Sequence, residues 1–118
     1  MPNPLCHFEL MSADPERARA FYGSVFDWQF NDEPSMPGYT LINTGVEPTG
    51  AMFPKPNDAP TACLNIYFQV PDVEAALAKV VEHGGSVLVP KTSIPGVGFF
   101  GMFADPDGVA IGLMQPEG

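Results

Sequence analysis

A chain of 118 residues with 45% hydrophobic content has the length of one compact domain and the material for a core. Its net charge is −9, fourteen acids against Arg17, Arg19, Lys55, Lys79 and Lys91, which argues against nucleic acid or an anionic membrane as a partner. The apolar runs are far shorter than a membrane span and no basic-then-apolar leader opens the chain, so the expected location is cytoplasmic.

Fourteen prolines and twelve glycines predict many turns and short elements. Residues 5 to 11 alternate, Phe8 and Leu10 facing one way and His7, Glu9 and Met11 the other, as in a strand with one core face. Asp14 then caps a helix with Pro15 in its first turn and Glu16 at the positive dipole end. Its apolar stripe is Ala18, Phe21, Tyr22, Val25 and Phe26. Short strands follow at Trp28 to Phe30, Tyr39 to Asn43 and Thr49 to Phe53, with a turn at Pro37-Gly38 and a linker over 54–60. A strand from Asn65 to Val70 comes next, then a helix opened by Asp72 with the stripe Val73, Ala76, Leu77 and Val80, ended by Gly84-Gly85. Strands at Ser86 to Val89, Gly98 to Ala104 and Val109 to Met114 complete the chain. The last two flank an Asp105-Pro106-Asp107-Gly108 turn in which Gly108 takes a positive φ. Cys6 and Cys63 lack CxxC spacing and read as two buried, reduced thiols.

The second half repeats the first at an offset of 58 residues. Asp14 matches Asp72, Glu16 matches Glu74, Ala18 matches Ala76 and Ala20 matches Ala78. Pro37-Gly38 matches Pro95-Gly96, and Gly50 matches Gly108. The chain is therefore two copies of a strand-helix-strand-strand-strand unit, 1–58 and 59–118, each packing its helix on one sheet face. The other faces form a concave surface from His7, Glu9, Met11, Asn65, Tyr67, Gln69, Ala110, Gly112 and Met114. Apolar walls with a few polar groups suit a small-molecule site, and they equally describe a half-solvated sheet.

The motifs HFEL…ADPERARAFYGSVFDW, NIYFQVPDVEAALAKVVEHGGSV and VGFFGMFADPDGVAIGL resemble the vicinal oxygen chelate superfamily of glyoxalases, bleomycin-resistance-type binding proteins and ring-cleaving dioxygenases. The resemblance covers nearly the whole chain. It implies an α+β fold of two tandem βαβββ modules, with curled mixed sheets around a shared cavity in one glyoxalase-like domain, and a homodimer. It also implies four divalent-metal ligand positions on the first and last strands of each module. Carried over, these fall on His7, somewhere in Gly50 to Pro54, Asn65 and Gly112. The chain departs from the pattern: Gly112 has no side chain, Gly50 to Pro54 offer no hard ligand, and Asn65 stands where imidazole is usual. The expectation is no metal and no other cofactor.

Candidate ligand-binding residues are His7, Glu9, Asn65, Tyr67, Trp28, Met52 and Met114, with His7 and Glu9 as catalytic candidates. Tyr39 and Trp28 are placed at the pocket mouth, in the core or at a dimer interface. His83 reads as a surface residue at a helix end. Three functions stay open: a metal-free protein binding a small organic ligand; a lyase, isomerase or dioxygenase of glyoxalase type with altered metal ligands or chemistry run by His7 and Glu9; and an interaction subunit with a vestigial cavity.

Overall fold

The computed structural model describes residues 2–34, 36–56 and 63–117, Cys63 by its backbone alone. The expected boundary at 58/59 and most of the expected linker lie outside the described residues. The elements run β1 (Leu5–Ser12), α1 (Pro15–Phe26), β2 (Gln29–Asp32), β3 (Thr40–Asn43), β4 (Thr49–Pro54), β5 (Cys63–Gln69), α2 (Val73–Glu82), β6 (Ser86–Ile94), β7 (Gly98–Ala104) and β8 (Ala110–Pro116). This is βαβββ twice over, an α+β fold with mixed sheets.

Contacts divide the chain into two compact units, His7–Asn65 and Met1–Cys6 with Ile66–Gly118. Residues 2–6 group with the later unit, where the Pro4 carbonyl accepts a hydrogen bond from the Gln69 amide at 2.8 Å. In the unit of residues 7–65 the strand order is β2-β3-β4-β1, with β1 parallel to β4 and the other pairs antiparallel. The other unit repeats this as β5-β8-β7-β6, with β5 parallel to β8.

The caps repeat as well. Asp14 accepts from the Arg17 amide and Asp72 from the Ala75 amide, both at 3.2 Å, each satisfying an orphan donor of a helix start. Gln115 adds Oε1 at 2.9 Å from the Val73 amide. At the end of α2, Gly84 takes φ +98° while the Gly85 amide donates to the Val80 carbonyl and the Gly84 amide to the Val81 carbonyl. This is the glycine-dependent C-terminal motif anticipated at Gly84-Gly85. The Asp105–Gly108 turn also forms as expected: Gly108 has φ +93° and its amide donates to the Asp105 carbonyl at 2.9 Å.

Two expectations change. The repeat offset of 58 holds from the first strand to the Pro-Gly turns but becomes 61 at the last strands. Glu9 pairs with Ala51, whereas Tyr67, 58 residues on, pairs with Gly112. Three extra residues lie between the second Pro-Gly turn and β8, so Gly50 and Gly108 are not counterparts: Gly50 lies within β4 and Gly108 in a turn. The helices also pack differently. α2 buries Val73 and Leu77 against Val70 and Leu113 in a core joined by Phe68, Phe99 and Phe103. α1 has no buried residue, and Phe21, Val25 and Phe26 of its stripe remain 55–56% exposed. The sheet face below is already filled, because the Phe8 ring lies flat over Gly50 and packs on Trp28 at 5.9 Å between centroids. Tyr22 of the helix stacks face to face on Trp28 at 5.2 Å and 9°.

Candidate functional site

Strand alternation sorts the residues 7–65 into two faces. Phe8, Leu10, Thr40, Ile42, Gly50 and Met52 turn toward α1. His7, Glu9 and Met11 of β1, Leu41 and Asn43 of β3, and Thr49, Ala51 and Phe53 of β4 share the other face, with Tyr39 at its edge. Here Tyr39 meets both catalytic candidates. Its Oη donates to Glu9 Oε2 at 3.2 Å and lies 3.3 Å from His7 Nε2. His7 Nε2 and Glu9 Oε2 are 3.7 Å apart, with side chains only 18% and 14% exposed. A phenol has one proton; donated to Glu9, it leaves Tyr39 Oη as an acceptor, so a bond from His7 requires the proton on Nε2. Burial first, then the charge of Glu9 and the hydrogen bond to it, push the Tyr39 hydroxyl above its ordinary range. The ring is held in place by stacking on Phe53 at 5.9 Å and 15°.

His7 also lines a pocket of about 460 Å³ with Asn31, Leu41, Ile42, Asn43, Gly45, Val46, Glu47, Thr49 and Gly50. That volume is within the range that encloses small organic ligands. The β3–β4 loop forming one wall organises itself: Asn43 Oδ1 accepts from the Gly45 amide at 2.8 Å, and the Thr44 hydroxyl donates to the Val46 carbonyl at 3.2 Å.

The remaining sequence candidates fall elsewhere. Met52 is 1% exposed on the face toward α1, paired with Leu10 and Thr40, because the alternation of β4 turns it away from His7. Trp28 belongs to the aromatic cluster with Phe8, Tyr22 and Phe26 on the helix side. Neither lines the pocket. Asn65 is half-buried on β5. Tyr67 and Met114 belong to the other unit, where Tyr67 is 6% exposed and pairs with Gly112. Its ring lies directly over Gly112, where any Cβ would sit 2.9 Å from Tyr67 Cγ and closer to two other ring carbons. Cys6 is a free, half-buried thiol whose pKa is raised by burial; Cys63's side chain lies outside the described residues. Sequence reasoning missed Asn31, Leu41, Asn43 and Thr49. Leu41 and Asn43 alternate in β3, but only the β3–β4 register shows that they share a face with His7.

The register also names the uncertain second metal position. Ala51 is to Glu9 what Gly112 is to Tyr67, and Ala51 is fully buried without a donor atom. Among the described residues, no group of three His, Cys, Asp or Glu side chains could hold a metal ion. The donor set therefore does not fit the four-ligand metal of the resemblance.

A family model for the Glyoxalase/Bleomycin resistance protein/Dioxygenase superfamily matches residues 5–113. The chain belongs to this superfamily. Among curated relatives, "Putative glyoxylase CFP32" of Mycobacterium tuberculosis is 36% identical over 114 residues, covering 91% of this chain and 43% of that protein. "Anthracycline biosynthesis protein DauV" of Streptomyces sp. strain C5 is 26% identical over 130 residues, covering 97% of this chain and 47% of that protein. The chain thus spans less than half the length of the curated relatives it matches. A methylmalonyl-CoA epimerase structure from Mycobacterium tuberculosis aligns with a TM-score of 0.71 at 15% identity, over 97% of this chain and 88% of that one, a likeness of fold. Among the described residues, no helix is long and apolar enough to cross a membrane.

Proposed function

We propose that this superfamily member binds a small organic molecule, without a metal, in the pocket walled by β3, β4 and their connecting loop. The observation that carries the reading is the position of His7. It opens onto the pocket while Tyr39 and Glu9 fix its ring from within the sheet face. A polar group oriented in this way beside Leu41 and Val46 is the combination of anchor and apolar wall that small-molecule sites use. The donor-free residues Ala51 and Gly112 support the metal-free part of the reading. The name of DauV, which refers to anthracycline biosynthesis, agrees with an organic ligand.

The test is a thermal-shift screen of metabolites and drugs on the full chain, before and after exhaustive chelation. The expected result is at least one stabilising compound, with an effect that survives chelation and falls in His7→Ala; a ligand at a hundred times its Kd adds about 2.7 kcal/mol. Stoichiometric zinc, nickel, manganese or iron, with ligand binding lost on its removal, would overturn the metal-free reading.

A further inference from the structure

We infer that the His7 pocket selects organic cations, and in particular amines attached to an aromatic or aliphatic body, over anions of the same shape. This rests on the ligand-binding reading above and adds the class of ligand. Among the described residues that line the pocket, Glu47 on the β3–β4 loop is the one Asp, Glu, Lys or Arg, and it stands at the exposed rim of the wall. A second carboxylate, Glu9, lies 3.7 Å behind His7 and is largely withdrawn from water.

Among the described residues, no arginine or lysine lines the pocket. Arg19 is committed to Asp32 and the Phe30 carbonyl, and Lys91 lies over the Phe99 ring of the other unit. The surrounding field has the same sign, since residues 7–65 hold eight acids against three bases. Asn31, Asn43 and Thr49 add neutral hydrogen-bonding groups, and Leu41 and Val46 provide apolar contact. A carboxylate, sulfonate or phosphate entering this site meets the like charge of Glu47 with no lysine or arginine beside it, and at His7 it competes with Glu9, which already lies 3.7 Å from the ring. An ammonium group meets Glu47 at the wall and the field of Glu9 beyond His7.

A matched series separates charge from shape: 2-naphthylmethylamine, 2-naphthylmethanol and 2-naphthoic acid, titrated into the full chain at neutral pH. The amide signals of Asn43, Gly45 and Thr49 report occupancy of the pocket. The amine should bind roughly tenfold or more tightly than the acid, with the alcohol between them, as expected for one screened charge–charge interaction. That advantage should shrink severalfold in Glu47→Gln and in high salt, and the salt titration on the unaltered protein carries the test if the variant does not fold. Equal affinities across the series would overturn the inference and leave the ligand-binding reading intact. An amine preference indifferent to both Glu47→Gln and salt would overturn the assignment to Glu47. No shift at the three amides with any of these probes would overturn the inference, while the ligand-binding reading stands or falls on the thermal-shift screen.

Discussion

In Gly112→Ala the added methyl group is driven into the ring of Tyr67. β8 is held by β5 on one side and β7 on the other, so its backbone has little room to move. Tyr67 is 6% exposed, which leaves its ring few alternatives. Overpacking of this kind costs about 1–3 kcal/mol. Both partners are confined here, so the expected cost is about 2 kcal/mol, a fall in Tm of roughly 6–12 °C for a domain of this size. Urea denaturation followed by far-ultraviolet circular dichroism gives the free energy, provided fluorescence follows the same transition. The decisive comparison is a double-mutant cycle with Tyr67→Leu. Once the ring is gone, Gly112→Ala should cost less than about 0.5 kcal/mol, a coupling of at least about 1 kcal/mol. The same penalty in both backgrounds, or a negligible penalty in the first, would refute the packing argument.

Two further perturbations probe other parts of the fold. Tyr39 is held protonated above the ordinary tyrosine value of 10.0. Its contribution is therefore complete below about pH 10 and is lost as the pH rises, because the unfolded chain gives up this proton first. Tm measured from pH 9 to 11.5 should fall less steeply in Tyr39→Phe than in the unaltered protein; parallel curves would contradict the raised value. In the Asp105–Gly108 turn, Asp105 Oδ1 accepts from the Asp107 and Val109 amides, both at 2.9 Å. Asp105→Ala should cost about 1–2 kcal/mol in urea denaturation, and Asp105→Asn, which keeps an acceptor oxygen, should recover part of it.

Local chemistry made much of the architecture legible. Asp14 and Asp72 cap helices because a short carboxylate reaches the orphan amides of the first turn wherever it stands before one. The glycines at 84 and 108 take backbone angles that other residues resist. Such preferences belong to a few adjacent residues, so a linear reading recovers them. The repeat followed because the same preferences recur in the same order.

The site depended on distance in space. Tyr39 is 32 residues from His7 and 30 from Glu9, and only the pairing of β3 with β4 and β4 with β1 brings the three together. Strand register is set by turn length and by which face is buried, and a shift of one residue reverses every side chain. That is why Met52, plausible by type as an adaptable apolar wall, faces the helix, and why Ala51 rather than a neighbour stands opposite Glu9. Sequence by itself determined two βαβββ units and their family. Tertiary structure decided which side chains share a face, because that choice is made between strands and no single strand encodes it.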